Sequence, residues 1–145
     1  MRTLVTGATG FVGRRLLAKL VNPAVVTRNA AKTKAKLGKT VGEILEWDVA
    51  AHSLELAEGA EYPGVINLMG ESIAEGRWTD KKKKRIRDSR VLGTRNLVDS
   101  LIQSGRLPNV FVSASAVGFY GDPGNDIVTE QHIVCLLYTS PSPRD

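Results

Sequence analysis

Short β-branched apolar runs alternate along this chain with stretches whose apolar residues recur at helical spacing. RTLVTG, from Arg2 to Gly7, is one such run, stopped by glycine, and FVGRRLLAKLV, from Phe11 to Val21, places apolar residues at 12, 16, 17, 20 and 21. Together they predict a strand, a glycine turn and an amphipathic helix. After Asn22 and Pro23, AVVTR (Ala24 to Arg28) predicts a second strand, AAKTKAKL a short polar helix, and EILEWD (Glu43 to Asp48) a third strand. GVINLM (Gly64 to Met69) is the fourth and VFVSASA (Val110 to Ala116) the fifth. Between these two, a long helix is expected from an N-cap at Thr79 or Asp80 to about Ser104, with Gly105 and Pro108 as its stop. Ile86, Val91, Leu92, Leu97, Val98, Leu101 and Ile102 are its expected buried stripe.

The strands read as continuous apolar runs rather than as alternations, which indicates a parallel sheet covered on both faces. The fold class is therefore α/β, with right-handed crossovers. At 145 residues and 42% hydrophobic, the chain suits one domain, expected over residues 1–133. No apolar run approaches the ~20 residues that span a bilayer, and no signal-peptide pattern opens the chain, so a cytoplasmic location is expected. Cys135 stands alone and His52 and His132 are far apart, so no metal site is expected. Much of the net charge of +5 resides in DKKKKRIRDSR, from Asp80 to Arg90. Without interleaved aromatics that block reads as a solvated helix face, and no nucleic-acid or membrane partner is expected.

GATGFVG follows the first strand directly, with glycines at 7, 10 and 13. A phosphate-binding turn needs a residue without Cβ where the chain reverses, another where backbone approaches the pyrophosphate, and a third where helix packs on strand. Strand, turn and helix in that order supply the context for a Rossmann-type doubly wound sheet binding a dinucleotide. Gly7, Thr9, Gly10, Phe11, Val12 and Gly13 are its candidate cofactor residues. The end of the second strand selects the dinucleotide. An acidic residue there would bond a ribose 2′-hydroxyl, and an arginine can hold a 2′-phosphate. VTRN presents Thr27 and Arg28 and no carboxylate, which favours NADP over NAD.

GATGFVG, NLMGESIAEGRWT (Asn67 to Thr79) and SASAVGFYGD (Ser113 to Asp122) resemble the extended short-chain dehydrogenase/reductase superfamily. Within it they resemble the epimerase-family proteins with an NLAGE, RWT and SR signature. The resemblance implies that Leu68, Met69 and Gly70 contact the far half of the cofactor and that Arg90 belongs to the same site. It also implies hydride transfer assisted by a hydroxyl after the fifth strand, for which Ser115 is the first match and Ser113 the second. Two departures stand out: the LVNPAVV link between first helix and second strand is short, and Met69 replaces a usual alanine. The superfamily's Tyr-x-x-x-Lys pair has no counterpart. Tyr120 follows the strand too closely, and Tyr138 precedes Pro141 and Pro143, through which no helix runs.

CLLYTSPSPRD, Cys135 to Asp145, resembles the in-frame translation of a transposase-based sequencing-library adapter. Residues 134–145 are accordingly expected to be a non-native tail, with the native sequence running to about Ile133. An N-terminal part of about five strands is then expected, poorly soluble when expressed alone, because apolar faces and a strand edge would lie uncovered. The expected function is that of an NADP-dependent oxidoreductase or sugar-nucleotide epimerase-like enzyme, present as its cofactor-binding half, acting on an unidentified small molecule and capable of forming a homodimer. A non-catalytic NADP-binding sensor or interaction protein is the alternative.

Overall fold

A computed structural model describes residues 2–48, 53–56, 59–115, 125, 127–129 and 131. It divides into two compact units, Met1–Ala114 and Ser115–Asp145. In the second, the described Ile127 and Val128 are exposed. The expected tail at 134–145, Tyr120 and Tyr138 lie outside the described residues.

The first unit is a five-stranded parallel sheet: β1 (Thr3–Thr6), β2 (Ala24–Thr27), β3 (Glu43–Glu46), β4 (Gly64–Asn67) and β5 (Val110–Ser113). Their order is β3-β2-β1-β4-β5, so the chain works outward from β1 in one direction and then crosses to build the other side. Register is continuous through the centre: Val5 stands beside Val25 on one side and Ile66 on the other. The helices are α1 (Phe11–Leu17), α2 (Ala30–Leu37) and α3 (Asp80–Gln103), with a single 3₁₀ turn at Gly38–Thr40.

Each strand sends successive side chains to opposite faces, and two cores result. Val5 and Val25 meet Ala8, Leu17 and, in part, Leu16, Leu20 and Leu37, beneath α1 and α2. Leu4, Ala24, Val26 and Val65 meet Leu97 and Leu101 of α3 on the other face, together with Trp47, Leu54 and Tyr62. The last three come from the link between β3 and β4; Trp47 belonged to the predicted third strand, and for Leu54 and Tyr62 no element was predicted. Among the described residues no helix is long and apolar enough to cross a membrane.

Three expectations require correction. First, α1 ends at Leu17 rather than Val21. Its last turn tightens, with Lys19 and Leu20 N–H bonding the carbonyls of Leu16 and Leu17, and Val21 is left 82% exposed. Asn22, in the left-handed region at φ 47°, then reverses the chain into β2; an asparagine tolerates that conformation better than most residues. Second, the buried stripe of α3 is Lys82, Gly93, Leu97, Ser100 and Leu101, whereas Val91, Leu92 and Ile102 are exposed. Leu97 and Leu101 enter the core on that face, and Ser100 Oγ accepts the Leu54 N–H at 2.8 Å. Third, Lys82 of the basic block is buried, because its ammonium meets Glu71 at 2.9 Å.

Candidate functional site

A cavity of about 610 Å³ opens at the carboxyl ends of β1, β2, β3 and β4. This is where a doubly wound sheet places its ligand, because the crossovers diverge there to either side of β1. Its floor is the turn Gly7 to Gly10. Gly7 takes φ 65°, and a Cβ on it would stand 2.6 Å from the Leu68 carbonyl carbon and 3.1 Å from the Met69 N. The turn closes with Gly10 N–H on the Gly7 carbonyl at 3.0 Å, after which Gly10 caps α1. A Cβ on Gly13 would lie within 2.7 Å of backbone atoms of Gly7 and Ala8, so α1 rests directly on the turn. The N–H groups of the first turn of α1 have no intrahelical partner, and a Cβ on Gly10 would meet only the Gly7 oxygen, at 3.2 Å. That open backbone fits a phosphate.

Of the residues picked out in the sequence, Gly7, Thr9, Gly10, Thr27, Arg28, Leu68, Met69 and Gly70 line the cavity together. Phe11, Val12 and Gly13 do not. Gly13 is buried under the turn, and Phe11 and Val12 are exposed, with the Arg15 guanidinium 4.6 Å from the Phe11 ring centre. Arg90 stands behind the lining: both of its terminal nitrogens donate to the Glu71 carbonyl at 3.3 Å, and Nη1 also donates to the Ile86 carbonyl at 3.1 Å. Its guanidinium lies against Gly70, where a Cβ would come within 3.0 Å. Ser115 is exposed and begins the second unit. Ser113 accepts from Asn67 Nδ2 at 3.3 Å within the sheet.

The end of β2 is built to aim Arg28. The Thr27 hydroxyl shares a hydrogen bond of 2.7 Å with that of Thr33 in α2 and accepts the Asn29 N–H at 3.3 Å. The Thr27 carbonyl accepts the Trp47 N–H at 2.8 Å, and Glu46 Oε2 accepts the Ala30 N–H that begins α2. Arg28 is thus fixed by its backbone on the cavity wall, with its side chain exposed. Met69 packs on the α3 face of the core and still reaches the cavity, which accommodates its bulk.

Asn67, at the end of β4, ties four elements. Its Oδ1 accepts from Thr6 Oγ1 at 2.6 Å, while its Nδ2 donates to Thr94 of α3 at 2.9 Å and to Ser113 of β5. Glu71 is gripped entirely by α3. Its N–H donates to Ser89 Oγ at 2.9 Å, its carbonyl accepts from Arg90, and its Oε1 accepts from Lys82 at 2.9 Å, with Arg85 Nη2 at 3.6 Å. The Lys82 hydrogen bond holds the Glu71 carboxyl below its usual range against the opposing effect of burial, and the charges of Lys82, Arg85 and Arg28 act in the same lowering direction.

Sequence reasoning missed Trp47, Asp48, Glu71, Lys84, Arg85, Asp88, Ser89 and Leu92, which also line the cavity. For Trp47 and Asp48 a signal was present: they close the third strand, whose carboxyl end borders the same crevice. The α3 residues carried no such signal, since only packing turns that helix toward the cavity.

The strand order, the positive-φ glycine after β1 and the crevice above it define a Rossmann-type α/β protein. The sequence model for the NAD dependent epimerase/dehydratase family matches residues 3–138, and the chain belongs to that family. It is 34% identical over its whole length to a chloroplastic epimerase family protein SDR39U1 homolog of Arabidopsis thaliana, covering 40% of that protein. It is 35% identical over 90% of its length to the epimerase family protein YfhF of Bacillus subtilis, covering 42%. The chain thus spans about two fifths of the curated relatives it matches. Among solved structures, a short-chain dehydrogenase/reductase superfamily protein from Agrobacterium tumefaciens with bound NAD aligns at TM-score 0.67 and 26% identity, over 93% of this chain and 39% of that one. UDP-glucose 4-epimerase from Bifidobacterium longum, in complex with NAD+ and UDP, aligns at TM-score 0.70 and 19% identity over 93% and 43%.

Proposed function

We propose that this chain is the cofactor-binding half of an NADP-dependent oxidoreductase or epimerase-like enzyme of the extended short-chain dehydrogenase/reductase type. The observation that carries this reading is the pairing, in one cavity, of the open glycine turn Gly7 to Gly10 with Arg28 at the end of β2. The turn's backbone suits the pyrophosphate, and Leu68, Met69 and Gly70, which line the same cavity, suit contact with the nicotinamide half. Arg28 suits an adenosine 2′-phosphate, and no acidic side chain at the end of β2 competes for a ribose hydroxyl. The Agrobacterium and Bifidobacterium proteins carry NAD; the arginine is the reason to expect the phosphorylated cofactor here. Gly13 supports the turn from α1, Phe11 and Val12 contribute through the backbone of that helix's first turn, and Arg90 serves the site by fixing the loop at Gly70 and Glu71. Ser115 is proposed as the hydroxyl that assists hydride transfer in the whole enzyme, whose substrate is a small molecule, and the cytoplasm is its proposed location.

Titration with NADP and NAD, before and after Arg28→Ala, tests the assignment. A charge-assisted hydrogen bond contributes about 1.5–3 kcal/mol, so Arg28→Ala should weaken NADP about 10- to 100-fold and leave NAD nearly unchanged. An intact NADP preference in the variant would overturn the reading.

A further inference from the structure

Two cations of the basic block of α3, Lys84 and Arg85, line the cofactor cavity. Resting on the reading of that cavity as an NADP site, we propose that Arg85 is a second arginine for the adenosine 2′-phosphate, closing on it from α3 while Arg28 approaches from β2. Both side chains belong to the lining, one from each wall. Glu71 belongs to the same lining, with Arg85 Nη2 3.6 Å from its Oε1, and the charge of Arg28 adds a lesser lowering influence on its carboxyl.

The ion pairs decide which cations are available. Lys82 is buried and directed at Glu71 at 2.9 Å, so the Glu71 charge is largely committed to it. Lys84 pairs with Asp88 one helical turn on. Arg85 retains only the longer, shared contact with Glu71, and its side chain is 58% exposed at the cavity rim. Arg28 makes no ion pair with a described residue. One further carboxylate, Asp48, lines the cavity. With Glu71 paired to Lys82 and Asp88 to Lys84, the two guanidinium groups outweigh the charge of Asp48 in the lining and leave a positive wall, to which a phosphate monoester brings about 1.5–2 negative charges. Guanidinium groups bind phosphate through paired, directed N–H donors. Glu71, fixed by Ser89, Arg90 and Lys82, acts as the post that holds Arg85 in place.

Two fragments of the cofactor separate this idea from the reading it rests on: adenosine 2′,5′-bisphosphate carries the 2′-phosphate and AMP lacks it. Calorimetric titration of both into the chain, and into its Arg28→Ala, Arg85→Ala and Arg85→Lys variants, gives the ratio of the two affinities. Arg85→Ala should lower that ratio about 5- to 10-fold, less than a buried arginine would because of its exposure, with AMP binding and the thermal midpoint unchanged. Arg85→Lys should recover part of the loss as a point charge. An unchanged ratio in Arg85→Ala, beside a reduced one in Arg28→Ala, overturns the second arginine and leaves the NADP reading standing. Equal weakening of both fragments overturns it too, because Arg85 would then serve the adenine or the fold. A wild-type chain that binds the fragments equally overturns the NADP reading itself.

Discussion

Replacing Gly7 by alanine tests the turn on which the cavity is founded. Two costs separate cleanly. The first is conformational: Gly7 sits at φ 65°, in the left-handed region, where an L-residue with a Cβ costs roughly 1–2 kcal/mol. The second is steric: the new methyl would stand 2.6 Å from the Leu68 carbonyl carbon, 3.1 Å from the Met69 N and closest to the Leu68 carbonyl oxygen. All three are backbone atoms, so no rotamer gives way, and either the turn or the end of β4 must shift toward the ordinary carbon contact distance of about 3.5–4.0 Å. Overpacking of this kind costs about 1–3 kcal/mol. Together the two come to about 2–5 kcal/mol, which is a large part of the stability of an ordinary domain.

Gly7→Asn distinguishes the two costs, because asparagine tolerates φ > 0 but still carries the Cβ. Urea denaturation of the wild type and both variants should show Gly7→Ala losing about 2–5 kcal/mol and Gly7→Asn recovering no more than about 1 kcal/mol of it. The displaced groups are those of Leu68 and Met69, both in the cavity lining, so either variant that remains folded should also bind the proposed dinucleotide more weakly. A Gly7→Asn protein as stable as the wild type would show that conformation alone matters at this position. The close approach of β1 to β4, and with it the account of how the cavity floor is held, would then fail.

Two further substitutions probe the sheet ends. Asn67→Leu keeps the volume but strips Thr6 Oγ1 of its buried acceptor and removes the bonds to Thr94 and Ser113. It should cost about 2–4 kcal/mol in urea denaturation, and a change below about 0.5 kcal/mol would refute the tie. At the other end, Tyr62 donates to Glu43 Oε2 at 2.9 Å. Burial, then that hydrogen bond and the Glu43 charge, push its hydroxyl up to about 12 from the usual 10.0. A raised pKa means the folded state keeps its proton longer, so this contribution is whole below pH 10 and is lost as pH rises from 10 toward 12. Tyr62→Phe should therefore flatten the alkaline limb of the stability profile; an unaltered limb would show that Tyr62 does not titrate as described.

Much of the fold could be read directly because its signals are local. Thr79 caps α3 through its own side chain, which accepts the Lys82 N–H at 3.2 Å, and the spacing of Gly7, Gly10 and Gly13 announces a turn that any strand and helix must make in that order. The choice of Arg28 as a cavity residue was equally local, since the end of β2 has only one place to go in a parallel sheet. What escaped was set by partners distant in sequence. Large apolar residues at 91, 92 and 102 looked like part of the buried stripe of α3, but the helix turns Leu97 and Leu101 to the sheet core, and positions 91, 92 and 102 then fall on its exposed sides. Leu54 and Tyr62 lie in a stretch with no period at all, and they are buried with Trp47 in the core on the sheet's α3 face.

Lys82 makes the same point about charge. Four successive lysines are chemically alike, and nothing within the run distinguishes the second. Its burial follows from Glu71, placed by the loop after β4 where only one position of the first helical turn can reach it. Once that pair forms, position 85, one turn further along, is brought to the cavity and position 89 to the Glu71 N–H. One carboxylate in the narrow Asn67 to Thr79 stretch therefore holds the first turn of a 24-residue helix whose rotation is set by the packing of Leu97 and Leu101. That rotation determines which members of a featureless basic run line the cavity and which remain in water.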